Sequence, residues 1–257
     1  MDLEAEYDNR AKVPEHPAII AGWTRDAAAY RAAHADAELG LDYGPGERAK
    51  LDLFWPTSGR DAPLALFIHG GYWQSLDRAL FSHMAAGLNA HGVAVAVPSY
   101  DLCPQVTVAA IVAQIEHAAA FLHQRHERAM LAIGHSAGGH LAAMLQVWDA
   151  AAVPAALPVS GIFDLEPLVA TSINGALGLD AATARALSPL HRRPPGGRLH
   201  AVVGGAEGAE YARQSREIAR AWGGAWESVP GANHFTVVGP LADPGSALVT
   251  TARAMAP

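Results

Sequence analysis

A chain of 257 residues, 51% hydrophobic and 17% charged, carries enough apolar side chain to bury a sizeable core, which excludes disorder and fits one large α/β domain better than two small ones. Its formal net charge is −7, with no lysine/arginine cluster beyond Arg192-Arg193, so nucleic acid and anionic membrane surfaces are poor partners. Cys103 is the only cysteine, which excludes an intrachain disulfide and fits a reducing compartment. The acidic start, Met1 to Tyr7, lacks the basic-then-apolar pattern of a secretory signal, and no apolar run reaches membrane-spanning length. A cytoplasmic location is the expectation.

Residues 1–40 read as an irregular lead-in with a helix around Trp23 to Ala37, and they carry no identifiable chemistry. Leu41 to Tyr43 and Lys50 to Trp55 read as short strands joined by a Gly44-Pro45-Gly46 turn, a hairpin at a sheet edge. The apolar run Pro63 to Ile68 fits a central strand and ends at His69-Gly70-Gly71-Tyr72-Trp73. A helix is expected over Asp77 to His91, burying Leu80, Phe81, Met84 and Leu88. Val93 to Val97 is the next strand, and Val106 to His126 a long helix with Ile111, Ile115, Ala119 and Leu122 at helical spacing. Ala129 to Ile133 suits a buried strand, and Leu141, Met144, Leu145 and Trp148 mark a helix directly after it.

Ala156 to Phe163 reads as a further strand. Residues 166–198 are rich in Ala, Pro and Gly with weak periodicity, the pattern of a small cap inserted over the site. Leu199 to Gly204 is a strand, Glu210 to Trp222 a helix, Ala225 to Val229 a strand and Val238 to Met255 a final helix. Strands alternating with helices imply a mostly parallel central sheet covered by helices on both faces, one domain over 1–257.

Between the strand at 129–133 and its helix stands Gly134-His135-Ser136-Ala137-Gly138, a match to G-x-S-x-G. That motif is the nucleophile elbow, a strained strand-to-helix turn that lifts a serine hydroxyl above the sheet; a Cβ at either flanking glycine would clash. A serine hydroxyl needs a base held by an acid, and in the α/β-hydrolase arrangement the order is Ser, Asp or Glu, then His. After the elbow come His140 on the same helix, His191 in the cap segment, His200 at a strand start and His234 in a loop after the last strand. Ligands gather at strand carboxyl ends in such sheets, which selects His234 as the base. Glu207 follows the strand ending near Gly204 and is the first choice of acid, with Glu210 and Asp164 as alternatives. The oxyanion of a tetrahedral intermediate needs preorganised N–H donors. Ala137 and, in a variant His-Gly-Gly-Gly loop, Gly71 and Tyr72 are the candidates. Trp73, Phe163 and Phe235 are candidates for the substrate pocket. No histidine or carboxylate spacing reads as a metal site, and the chemistry requires no cofactor.

His69-Gly70-Gly71-Tyr72-Trp73 together with Gly134-His135-Ser136-Ala137-Gly138-Gly139 resembles the arylformamidase (kynurenine formamidase) branch of α/β-hydrolases, akin to the hormone-sensitive-lipase-like esterases. The likeness extends through Tyr7-Asp8-Asn9-Arg10, Ser160 to Leu165, Ser188-Pro189, Glu210 to Ser215 and Asn233-His234-Phe235, and is weakest at 166–187. The resemblance implies a nucleophile at Ser136, a base at His234 and an acid at Glu207, where the animal enzymes have aspartate. The extra methylene of glutamate requires the backbone to retreat or the acid to bend. It further implies hydrolysis of an aryl formamide, typically N-formylkynurenine, through an acyl-enzyme. A zwitterionic substrate needs a partner for its carboxylate, for which Arg78, Arg185, Arg192 and Arg193 are available. The expected partner is a small ester or amide, with a homodimer left open. The alternatives are a carboxylesterase for short-chain or aromatic esters and, more remotely, a non-catalytic hydrolase-like binding protein.

Overall fold

The computed structural model describes residues 2–192, 194 and 196–257. Among these the chain opens with α1 (Leu3–Tyr7), α2 (Asn9–Lys12) and α3 (His16–Ala33). The hairpin β1 (Ala37–Asp42) and β2 (Lys50–Phe54) follows, then β3 (Leu64–Ile68), α4 (Ala86–Ala90), β4 (Ala94–Pro98) and α5 (Val108–His126). β5 (Met130–His135) runs into α6 (Ala137–Trp148), and β6 (Ala155–Val159) leads to the short α7 (Asn174–Leu177) and α8 (Ala181–Ala186). β7 (Arg198–Gly204), α9 (Ala209–Trp222), β8 (Ala225–Val229) and α10 (Ala247–Met255) end the fold.

The strands form one sheet in the order β1-β2-β4-β3-β5-β6-β7-β8. The β1–β2 and β2–β4 pairs are antiparallel, and every pair from β4 to β8 is parallel. The expected hairpin therefore does sit at a sheet edge. Side chains of the central strands alternate between two cores, as period-2 geometry requires. Leu64, Leu66 and Ile68 of β3 pack with Ile111, Ile115 and Leu122 of α5 and Leu141 and Met144 of α6. Ala65 and Phe67 face the other way, among Trp23 of α3, Leu88 of α4 and Leu248 and Val249 of α10. α9 closes the first face over β6 and β7 through Ile218 and Ala219. Strands buried on both faces explain why Pro63 to Ile68 and Ala129 to Ile133 read as unbroken apolar runs.

Several expected elements come out differently: the helix around Trp23 to Ala37 is α3, which starts earlier and ends at Ala33, and Ala37 opens β1 ahead of the expected strand at Leu41 to Tyr43. The helix over 77–91 is broken into 3₁₀ turns at Arg78–Leu80 and Ser82–Ala85 before α4 begins. The Asp77 carboxylate accepts the Ala79 N–H and the Ser99 hydroxyl, which pins the first turn to the sheet, and Phe81 leaves helical geometry at ψ 7°. The final helix is shorter than 238–255: a 3₁₀ turn at Gly239–Ala242 precedes α10, whose start is capped by Ser246. Pro240 and Pro244 lack the N–H that a continuous helix would use there. β6 stops at Val159 and not Phe163, because Ser160 adopts φ +50° and turns the chain off the sheet.

The tightest backbone approach lies where β5 enters α6. A Cβ on Gly134 would stand 2.0 Å from the Gly138 carbonyl oxygen, and one on Gly138 would stand 2.0 Å from that of Ile68. Gly138→Ala should therefore cost about 3 kcal/mol or more of stability. Gly175→Ala in α7, where nothing lies within 4 Å, should change it by less than about 0.5 kcal/mol. Urea unfolding of the two variants measures the contrast; equal midpoints would show that the elbow has slack.

Candidate active site

Ser136 ends the elbow at φ +57°, ψ −121°, a conformation that an L-residue adopts only when its surroundings force it. Its N–H is held by the Val159 carbonyl, and its own carbonyl accepts from Gly139. The hydroxyl thus stands at the start of α6, where first-turn N–H groups have no intrahelical acceptor. Ser136 lines a cleft of about 530 Å³ together with His135, His234, Phe235, Gly71 and Tyr72.

His234 lies in the loop after β8, and its Nδ1 is 2.6 Å from Glu207 Oε2. Because the carboxylate accepts, Nδ1 carries the proton and Nε2 keeps the lone pair that can receive one. Both side chains are almost wholly buried, 6% and 1% exposed, so the contact is little screened by solvent. The other carboxylate oxygen of Glu207 accepts the Gly204 N–H at 2.6 Å and the Ser160 hydroxyl. The extra methylene of glutamate is thus taken up by folding the acid back over its own turn. The alternative acids are engaged elsewhere: Glu210 accepts from Tyr7 and pairs with Arg213, and Asp164 caps Glu166 and lies 3.6 Å from Arg213. Asp164 and Glu166 also come near His191, within 4.8 Å of one another, but Arg213 and Arg185 already neutralise these carboxylates.

The loop after β3 runs through positive φ at Gly71, Tyr72 and Trp73. Among the described residues, neither the Gly71 nor the Tyr72 N–H donates to a backbone acceptor, although both residues line the cleft. The Tyr72 phenol donates to the Tyr7 carbonyl and shares hydrogen bonds with Tyr211 and Asn9. Asn9 also reaches Tyr211 at 2.7 Å, and the Tyr211 ring packs 4.7 Å from that of His234. Burial pushes both phenols well above their ordinary range, so they stay protonated donors.

Two expected pocket residues lie elsewhere. Trp73 is fully buried beneath its loop, edge-on to His140 of α6 at 5.1 Å. Phe163 is fully buried with Leu199, Ile218 and Ala219, filling the space that the missing side chain of Gly161 leaves. Only Phe235 of the three lines the cleft. Of the arginines considered for a substrate carboxylate, Arg78 pairs with Asp52 and Arg185 with Glu166, and neither they nor Arg192 line the cleft. Arg193 lies outside the described residues. Conversely, the lead-in supplies a wall of the cleft through Glu4, Tyr7, Asp8, Asn9, Arg10, Ile20 and Trp23. The signal for it was Tyr7-Asp8-Asn9-Arg10, read as family likeness without a role. Ser160, the support of Glu207, carried only the faint signal of a serine at a strand's carboxyl end.

A serine elbow, a carboxylate-bound histidine and free loop N–H groups at the carboxyl ends of parallel strands define an α/β-hydrolase. The solved structure of a Pyrobaculum calidifontis esterase shares this fold, with TM-score 0.73 at 15% identity over 93% of this chain and 92% of that one. A family described as BD-FAE matches residues 51–155. Kynurenine formamidase of Salmo salar is 32% identical over 230 residues, 81% of this chain and 78% of the relative. The chain belongs to the kynurenine formamidase family and is a hydrolase. A solved protein of Silicibacter sp. TM1040, named for a proposed thioesterase activity, is 36% identical with TM-score 0.92, covering 98% of this chain and 99% of that one.

Three buried imidazoles frame the site. Burial pushes His69 and His140 down to about 4 and, with the neighbouring His234, His135 to about 3. His135 is therefore neutral and donates Nε2–H to the His234 carbonyl at 2.7 Å. An unfolded histidine takes up a proton near pH ~6.5. Below that pH the unfolded chain binds protons that the fold refuses, so stability present above about pH 6.5 is lost as pH falls toward about 4. The urea midpoint should accordingly drop steeply between pH 7 and 5. A level midpoint over that range would mean these imidazoles protonate freely inside the fold.

Proposed function

We propose that the chain hydrolyses an aryl formamide of the N-formylkynurenine type through a formyl-enzyme on Ser136. The observation that carries the chemistry is the 2.6 Å contact between His234 Nδ1 and buried Glu207, beside Ser136 in one cleft. The family's named substrate supports the formamide.

In this reading His234 Nε2 takes the Ser136 proton as the oxygen attacks the formyl carbon, and Glu207 stabilises the imidazolium and fixes its tautomer. The N–H groups of Ala137, Gly71 and Tyr72 receive the oxyanion; the free loop donors and the helix start at Ala137 support this role. The imidazolium then protonates the leaving arylamine, the C–N bond breaks, and the formyl group remains on Ser136. Water, deprotonated by His234, attacks that ester and releases formate, restoring the serine. No step calls for a metal or an organic cofactor. The described residues of 166–198, of which Ser172 and Ile173 line the cleft, act as a small cap within one domain. No helix among the described residues is long and apolar enough to cross a membrane, and the single, buried Cys103 supports a cytoplasmic place of action.

A second reading, a carboxylesterase or thioesterase for short or aromatic acyl groups, is favoured by the 36% identity to the Silicibacter protein. Comparing kcat/KM on N-formylkynurenine with that on 4-nitrophenyl acetate and an acetyl thioester separates the two. The formamide should be the best substrate, and a rate several orders of magnitude below the esters would overturn the formamidase reading. Ser136→Ala should lose organophosphonate labelling and at least about 10³-fold in kcat. Glu207→Gln should lose about 10³-fold or more, because the amide cannot hold the productive tautomer. Near-normal turnover in Glu207→Gln would remove Glu207 from the triad.

A further inference from the structure

A glutamate has one more side-chain torsion than an aspartate, and each must be fixed before the carboxylate can meet a histidine squarely. At Glu207 solvent takes no part in this, because the side chain is 1% exposed. Oε2 is spent on His234 Nδ1, so whatever orients the carboxylate acts on Oε1. Two donors meet that oxygen, the Gly204 N–H at 2.6 Å and the Ser160 hydroxyl. The Gly204 N–H belongs to the acid's own turn and moves with it; a Cβ on Gly204 would stand 2.8 Å from Oε1. Ser160 reaches across from the end of β6, 47 residues earlier in the chain. Among the described residues it is the only side chain besides His234 that bonds Glu207.

The backbone of Ser160 is chosen for that reach. It adopts φ +50° and is fully buried, and its N–H donates to the Val202 carbonyl of β7 at 2.7 Å. A chain that leaves a sheet at positive φ ordinarily uses glycine, and Gly161 stands only one position later. A serine in this conformation carries strain that glycine would avoid. Its hydroxyl offsets that strain with a charge-assisted hydrogen bond to a buried carboxylate. The turn it supports is tied in its own right to the loop of the base, through the Ala206 N–H and the Ala232 carbonyl.

We propose that Ser160 is a positioning residue for the hydrolytic reaction, fixing the last torsion of Glu207 so that Oε2 stays in line with His234 Nδ1. This rests on the reading of Glu207 as the acid behind His234 and is independent of which acyl group is cleaved. If the carboxylate twists, the imidazole turns with it, and Nε2 loses its aim at the Ser136 hydroxyl. Neither Ser160 nor Glu207 lines the cleft, so loss of the hydroxyl acts on the rate of the chemical steps and not on substrate binding.

Ser160→Gly tests this in the full chain, since glycine suits the backbone and deletes only the hydroxymethyl group. Turnover is read on whichever of N-formylkynurenine and 4-nitrophenyl acetate the unsubstituted chain cleaves faster. Ser160→Gly should lower kcat about tenfold or more and change KM less than about twofold. Added to Glu207→Ala, the same substitution should lower kcat by less than about twofold, because the group through which the serine acts is gone. Proton NMR reads the contact without turnover: the far-downfield signal of His234 Nδ1–H should shift or broaden in Ser160→Gly and vanish in Glu207→Ala. A serine that only supports the fold would lower the urea midpoint, leave that signal in place and cost the same factor of kcat in both backgrounds. That pattern overturns the inference, as does an unchanged kcat in Ser160→Gly while Glu207→Ala is impaired. Failure of the acid reading itself looks different: Glu207→Ala then keeps the turnover of the unsubstituted chain, and both assignments fall together.

Discussion

Everything at the cleft depends on how closely two backbones meet at the elbow. The Cα of Gly138 sits against the Ile68 and His69 carbonyls, so α6 begins within touching distance of the end of β3. That approach brings the start of α6 beside the Gly71-Tyr72 loop and forces Ser136 into positive φ. The strain at Ser136 is held by ordinary means: its N–H bonds to β6, and the β3–β5 and β5–β6 pairings hold the strand beneath it in register. Removing space at this point would displace the hydroxyl and the loop donors together, because one contact sets both.

A second constraint aligns the histidine with that elbow. His234 is gripped from three directions: Glu207 at Nδ1, the Tyr211 ring against its face, and His135 at its carbonyl. His135 belongs to the elbow itself, so the residue beside Ser136 holds the backbone of the histidine that shares its cleft. Neutrality is essential to this arrangement. A charged imidazole at 135 would stand 4.9 Å from the His234 ring and oppose any positive charge developing there. Burial keeps the proton off His135, so it works as a fixed dipole.

The fold was legible in the sequence because its signals are local and strong. Strands buried on both faces appear as continuous apolar runs, and the long helices show clear periodicity. Chain order was the signal that singled out Ser136, Glu207 and His234, and the structure brings Glu207 onto His234. Glu207 was separated from Glu210 only by geometry, since both follow the same strand and the difference lies in which carboxylate meets His234. The helices over 77–91 and 238–255 were overextended because apolar spacing persists through breaks set by Asp77, Pro240 and Pro244. Trp73 and Phe163 went to the core because aromatic residues beside a motif are as useful for filling the space beneath a loop as for meeting a ligand. The role of the lead-in was not legible at all. Tyr7 and Asn9 act on Tyr72, Tyr211 and Glu210, partners 63 to 203 residues away, and no local pattern encodes such distant bonds.

This separation in sequence is also a separation of tasks. The Gly71-Tyr72 loop, Ser136, Glu207 and His234 stand at the carboxyl ends of β3, β5, β7 and β8, each fixed by the sheet. The far wall of the cleft comes from α1 to α3, outside the sheet, and is fastened to that geometry through the Tyr7, Asn9, Tyr72 and Tyr211 polar network. A wall attached in this way can vary in charge and shape without disturbing the elbow or the Glu207–His234 pair. It cannot come loose without consequence, however, because Tyr72 is both an anchor of the wall and a residue of the loop that lines the cleft after β3. The two parts of the cleft are therefore distinct in residues but joined at the Tyr72 phenol, and the amino-terminal segment belongs to the cleft as much as the sheet does.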